Sequence, residues 1–241
     1  MSYLLIVGVL SLLILIHEAG HLLAAKWMGI PIARFSVGFG PRVWSFLAGG
    51  TEYRLSMIPC GGYVLPEISD LKEFEKLPLG KRVVFALGGP LANFLAAFIC
   101  LSAIHVAGHG LSLTALVVAP LVETWQTTVA MVASIPVLFS NPGQLSGLVG
   151  IVAIGQEHVG FSAIRLLQFS MFLNINLAVL NLLPVLPLDG GRLVMGTLQR
   201  LFPPARRLEF PLTLAGWVAL LGLMGYTTFQ DISRLVLAAV V

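Results

Sequence analysis

Four long apolar stretches dominate the chain, and the hydrophobic period changes between them. Residues from Ser2 to about Met28 are apolar up to Ile16; Lys26 closes the stretch, and Gly29 and Pro31 stop a helix. A hydrocarbon core of about 30 Å and a helical rise of about 1.5 Å require roughly 20 apolar residues, so this segment is long enough to cross a bilayer. Residues 31–64 carry short β-branched and aromatic runs separated by Gly-Gly and Gly-Pro, which predicts a β-hairpin or small curved sheet. From Leu65 to Arg82 the chain is charged and loop-like, with Glu67, Asp70, Glu73 and Glu75 interleaved with lysines in a solvated loop. Val83 to about Val106 is a second span. A third starts near Ile164 and ends in the proline-broken stretch 181–191, and a last one runs from about Phe210 to Tyr226, its tail continuing as interfacial helix.

Residues 107–161 read as an outer loop. Leu113 to Phe139 is apolar but holds Glu123, Thr124, Gln126, Thr127, Thr128 and two prolines, so it suits an amphipathic interfacial helix or a poor span. Residues 145–155 are too few to cross as a helix and suit a re-entrant or surface-lying segment. The expected fold is an α-helical polytopic membrane protein, one membrane-embedded domain over 1–241. It has about four transmembrane helices and a membrane-associated β-hairpin between the first and second.

Composition agrees. Of 241 residues 57% are hydrophobic and 10% charged, against about 25% charged in soluble domains. The net charge of +3 matters less than its placement, and nucleic acid is not a partner. Eight Lys and Arg lie between Lys26 and Arg82, four more Arg between the third and fourth spans, and none from Val83 to Ile164. Basic loops stay cytoplasmic, so four spans place both termini outside. Cys60 and Cys100 form no disulfide framework and read as buried thiols. The N-terminal segment lacks a basic flank and a small-residue cleavage site, so it reads as retained.

The chemistry sits in the polar half of the first span. His17-Glu18-Ala19-Gly20-His21 is an H-E-x-x-H motif whose histidines, four residues apart, share one helix face and can hold one metal ion, with Glu18 beside them as a base. Ionisable groups inside a span cost roughly 2.5 to 3.5 kcal/mol each on insertion scales and need partners or an ion. A catalytic zinc takes three protein ligands and an open position. Asp189, after Pro184 and Pro187 have broken the third span, is the candidate third donor; the alternative is an aspartate capping the next helix. The first and third spans both enter from outside, so His17, His21 and Asp189 come to one depth just above basic residues. If residues 113–139 crossed, Asp189 would fall on the far side.

His17-Glu18-x-x-His21, Gly89-Pro90-x-x-Asn93 and Asn181-x-x-Pro184-x-x-Pro187-x-Asp189-Gly190, in that order, resemble the site-2 protease family of intramembrane zinc metalloproteases. The likeness extends over nearly the whole chain, through Phe35 to Pro41, Tyr53 to Tyr63 and Leu145 to Ile151. It is greatest to bacterial members that cut anti-sigma factors. The resemblance implies one zinc per chain, Glu18 as catalytic base, and hydrolysis of a peptide bond within or near a transmembrane segment. It further implies a plasma-membrane location with the active site near the cytoplasmic side. The substrate would be a single-pass membrane protein such as an anti-sigma factor or a signal-peptide remnant.

Asn176 and Asn181 could hold opened substrate backbone or satisfy proline-disrupted carbonyls. The hairpin could offer an edge strand to the substrate or anchor the protein to the bilayer. Gly89 and Asn93 suit helix packing or support of a ligand. One departure is large, because those bacterial members carry PDZ domains between the second and third spans, of roughly 80 to 100 residues each, for which 107–161 has no room. A metal transporter or a silent zinc-binding scaffold are the alternative readings; the first would want ligands along a path, and the second has no need of Glu18.

Overall fold

The Gly29 and Pro31 break and the prolines at 184 and 187 divide the chain into long helices and one hairpin. The computed structural model describes residues 3–67, 77–140, 143, 145–160 and 162–240. The acid-rich loop around Asp70, Glu73 and Glu75, and the Cys60 side chain, lie outside the described residues; Cys100 is half-buried. Helix α1 (Tyr3–Met28) is followed by strands β1 (Ile32–Ala48) and β2 (Thr51–Pro66), then α2 (Leu79–His109). A π-helical turn (Thr114–Val118) leads into α3 (Ala119–Ser140); α4 (Leu148–Val159) and α5 (Ala163–Asn181) follow. The chain ends in α6 (Asp189–Leu201), a 3-10 turn (Pro203–Ala205) and α7 (Arg206–Val240).

The hairpin pairs antiparallel from Ile32↔Pro66 to Ala48↔Thr51. Its tip, Gly49-Gly50, has φ of 56° and 80°, the left-handed backbone that a two-residue hairpin turn needs. Phe35, which pairs with both Tyr53 and Val64, packs with them onto Leu22 and Ala25 of α1 and Ile30 just after it. The sheet is therefore fastened next to the polar half of the first span.

Among the described residues five helices are long and apolar enough to cross a membrane, one more than expected. The addition is Thr114–Val137. Two of its polar side chains are satisfied locally: Thr128 donates to the Thr124 carbonyl at 2.7 Å, and Glu123 meets His105 at 2.9 Å. The helix therefore forms despite them. The final span is also longer than expected, because α7 continues without a break through Tyr226 to Val240.

The polypeptide between α2 and α5 is attached near one level at both ends. Ser102, late in α2, donates to the Leu116 carbonyl at 2.8 Å. Beyond α3, Arg234 donates to the Gly143 carbonyl, and Asp231 accepts from the Gly147 and Gly150 amides at 2.9 and 2.7 Å. Gly155 in α4 faces Ile6 and Phe169. Ile6 stands eleven residues before His17, or about 16 Å along α1.

Helices α1 and α2 cross at Gly20 and Gly88. A Cβ on Gly20 would lie 2.2 Å from the Gly88 carbonyl oxygen, and one on Gly88 would lie 2.6 Å from that of Gly20. With Ala24 and Ala92 these form a small-residue seam, which lets backbones approach where lipid gives no hydrophobic drive for helix association. Gly20→Val is expected to cost about 1–3 kcal/mol by overpacking. It should lower the thermal unfolding midpoint in detergent, and an unchanged midpoint would show that the helices can separate freely.

Candidate metal centre

His17 and His21 project from one face of α1 toward α2 and are both 6% exposed. The seam decides what lies opposite them: a Cβ on Gly89 would sit 2.4 Å from His21 Nε2 and 2.6 Å from His17 Nε2. Only a glycine leaves room for both rings. The Phe85 carbonyl, one turn earlier on α2, accepts a hydrogen bond from His21 Nδ1 at 2.7 Å. That bond fixes the neutral ring with its Nε2 lone pair turned inward, as ligating histidines usually are.

Asp189 arrives from the other side. Pro184 and Pro187 have no N–H to donate, so α5 cannot continue past Asn181, and the chain turns through Leu183→Leu180, Val185→Leu183 and Leu188→Val185 amide-to-carbonyl bonds. Gly190 permits the fold-back, since a Cβ there would lie 2.2 Å from the Leu182 carbonyl oxygen. The cap position of α6 is Leu188, without a side-chain cap bond, and Asp189 stands in the first turn with its carboxylate pointing elsewhere than the helix amides. It is 7% exposed.

The three side chains form a triangle. Asp189 Oδ2 is 3.2 Å from His17 Nε2 and 3.2 Å from His21 Nε2, and the two Nε2 atoms are 3.2 Å apart. Ligand atoms about 2.0–2.1 Å from a tetrahedral zinc stand about 3.3 Å from one another, so the spacing suits that ion. The chemistry of the donors suits it too. With neutral rings, the His21 lone pair and the carboxylate oxygen are both acceptors facing each other in a buried site, which a cation relieves. Among the described residues His17, His21 and Asp189 are the one group of three such donors arranged to hold a metal.

Glu18 is half-buried next to this triangle, and Gly62 of β2 lies over it, where a Cβ would come within 3.1 Å of Glu18 Cγ. Asn176 and Asn181 are half-buried on α5; Asn181 donates to the Leu177 carbonyl at 2.9 Å, and no hydrogen bond joins either to the three donors. Asn93, one turn beyond Gly89, is fully buried with both amide atoms unpartnered among the described residues. Sequence reasoning missed the Phe85 carbonyl, the Gly62 contact and buried Asn174, whose amide bonds the Ser170 carbonyl.

An H-E-x-x-H helix thus meets a buried aspartate within a bundle of apolar helices, and the three donors are arranged to hold a metal ion. Residues 5–223 match the model of peptidase family M50, and the chain belongs to that family, the one its three motifs resemble. A relative from Chlamydia pneumoniae, named "Putative zinc metalloprotease", is 38% identical over 117 residues, covering 41% of this chain and 19% of the relative. One of the same name from Vibrio cholerae is 39% identical over 98 residues, 36% of this chain and 22% of the relative. The "Regulator of sigma E protease" of Haemophilus influenzae is 36% identical over 109 residues, 41% of this chain and 25% of that protein. The matched part thus spans about a fifth to a quarter of these relatives' length. The names of the first two agree with zinc as the cofactor.

Gly89→Ala is expected to displace both rings and abolish zinc retention while the helix content stays unchanged. Metal analysis and circular dichroism of the detergent-purified chain check this, and full zinc in the variant would refute the described packing.

Proposed function

We propose that the chain is a single membrane-embedded protease domain that hydrolyses a peptide bond within or near a transmembrane segment of another membrane protein. The observation that carries the reading is the buried triangle of His17, His21 and Asp189 at 3.2 Å spacings with Glu18 beside it. These three residues would hold one zinc. When bound, the ion supplies a Lewis acid that polarises the scissile carbonyl and lowers the pKa of water towards about 7.

Glu18 then has a defined task. Water adds to the carbonyl carbon, the Glu18 carboxylate takes the proton it gives up, and the same carboxyl returns it to the amine nitrogen as the C–N bond breaks. Atoms and charge balance without another reactant. A helical substrate must first unwind, because its carbonyls are already hydrogen-bonded. Asn176 and Asn181 are proposed to hold the opened backbone, and the approach of β2 to Glu18 at Gly62 supports a role for the hairpin in aligning it as an added strand. Pro184 and Pro187 support Asp189 by ending α5. Gly89 and Asn93 support the histidine face.

Among the described residues helices α3 and α4 occupy the segment between α2 and α5, which supports a domain without a PDZ insertion at that place. The absence of basic residues from Val83 to Ile164 supports an orientation with the centre near the cytoplasmic side and the termini outside. A single-pass substrate such as an anti-sigma factor, cut in regulated intramembrane proteolysis, fits this geometry and the name of the Haemophilus influenzae relative. A transporter would want further ligands along a path; among the described residues no second group of three stands ready.

Glu18→Gln is expected to retain zinc and lose at least about a hundredfold in cleavage of a labelled transmembrane peptide. The native chain should cut it and stop on chelation, with mass spectrometry fixing the bond. Undiminished cleavage by Glu18→Gln would reject the assignment, and no cleavage by the native zinc-loaded chain across a panel of single-pass proteins would favour a silent scaffold.

A further inference from the structure

Asp189 brings a charged neighbour with it. The first residues of α6 are clamped against the turn before it: a Cβ on Gly190 would strike the Leu182 carbonyl, and one on Gly191 would lie 2.3 Å from the Val185 carbonyl carbon. The Arg192 amide donates to the Leu188 carbonyl at 3.0 Å and closes the first turn of the helix. Arg192 is thereby fixed three residues after Asp189, a spacing at which side chains are neighbours on a helix surface, roughly 5–6 Å apart at Cβ. Asp189 is 7% exposed, whereas the Arg192 side chain is exposed.

The electrostatics place it on the same side of the centre as Glu18. The Glu18 carboxylate interacts with His21, His17 and Asp189 of the triangle and, beyond them, with the Arg192 guanidinium. Gly62 of β2 approaches Glu18 from the hairpin, where a Cβ would come within 3.1 Å of Glu18 Cγ. Helix α6 approaches the triangle through Asp189, which stands 3.2 Å from both histidines. A buried carboxylate that shares the triangle and an exposed guanidinium one helical turn from the third donor thus border the same place.

We propose that Arg192 is a further catalytic residue, whose guanidinium donates to the carbonyl oxygen of the bond being cut while that oxygen is negatively charged. The proposal rests on the proteolytic reading. When the water oxygen bonds to the carbonyl carbon, the π pair of the C=O moves onto oxygen and Glu18 takes the water's proton. When the C–N bond breaks, that pair re-forms the C=O, and the nitrogen keeps the C–N pair and receives the proton. Negative charge therefore moves from Glu18 to the substrate oxygen and back. A fixed cation already acting on the Glu18 carboxylate is placed to follow that charge over a short distance. The planar fork of a guanidinium, always charged, bonds the oxygen most strongly when it carries the charge, which is the difference that accelerates a reaction.

The full zinc-loaded chain and the labelled transmembrane peptide test it. Arg192→Gln is expected to keep its zinc, leave KM within about twofold and lower kcat about a hundredfold. Arg192→Lys, which keeps the charge but not the fork, should lose about tenfold, and Arg200→Gln, later on the same helix, should leave kcat unchanged. A binding measurement separates this role from a structural one. A peptide with a phosphinate in place of the cleaved bond, its anionic oxygen standing for the charged carbonyl oxygen, should bind Arg192→Gln about a hundredfold more weakly than the native chain. The uncut peptide should bind Glu18→Gln equally well with and without Arg192→Gln. Undiminished kcat in Arg192→Gln, a loss confined to KM, or a loss of zinc would overturn the proposal and leave the proteolytic reading standing. No cleavage by the native chain across the panel of single-pass proteins would overturn both.

Discussion

Three lone-pair-bearing atoms stand 3.2 Å apart where water is largely excluded, and the rest of the fold can be read as the means of keeping them there. Such a cluster is unfavourable by itself, since buried polar atoms without partners cost several kcal/mol in an apolar setting. Its donors come from segments 168 positions apart in sequence, so no local preference brings them together. The Gly20–Gly88 crossing brings the backbone of α2 against α1, Gly89 leaves the space the rings occupy, and the Phe85 carbonyl orients one of them. The proline break after α5 performs the corresponding task for Asp189. Each of these is a backbone feature, which gives the centre a rigid frame that exposed side chains could not.

That division explains what was legible in the sequence. The histidines, Glu18 and Asp189 were readable because an ionisable residue in an apolar run costs too much to stand there without a partner or an ion, and because basic residues fix depth. The seam was half-readable: Gly20-x-x-x-Ala24 and Gly88-x-x-x-Ala92 carry the small-residue spacing, but nothing in either segment says that it faces the other. The Phe85 carbonyl was not readable at all, since any residue presents one. Nor was the hairpin's contact with Glu18, because Gly61-Gly62 reads equally well as a turn. The helix at Thr114–Val137 was obscured by its hydroxyl and acidic side chains, of which Thr128 bonds within the helix and Glu123 bonds His105, so that these two add less polarity than their identities suggest.

Helix α6 joins the metal centre to the start of α2, since Asp189 opens it and Gly196 and Gln199, which meet Arg82, lie on its later turns. A short helix whose first residue stands beside the histidines and whose later turns meet Arg82 is held at both ends. Contacts at its far end therefore bear on the placement of the carboxylate about 10 Å away along the axis.

The extra long helix raises the question of whether it crosses, and the metal centre constrains the answer. Helices α1 and α5 must run in the same direction for His17, His21 and Asp189 to meet, so the chain between α2 and α5 has to leave and return at one face. If α3 crossed completely, the return would fall to α4, whose 12 residues reach about 18 Å, well short of a hydrocarbon core of about 30 Å. The contacts point the same way. Met131 and Ile135 of α3 pack around Ala97, which is eight residues, or about 12 Å, short of the level of Gly89. At Gly147 and Gly150 the chain is held by Asp231, which lies fifteen residues, or about 22 Å, along α7 from Gly216, the residue facing Leu186 near the metal donors. Length and hydropathy qualify α3 as a span, while these contacts support the reading in which it enters and leaves on the side away from the three donors.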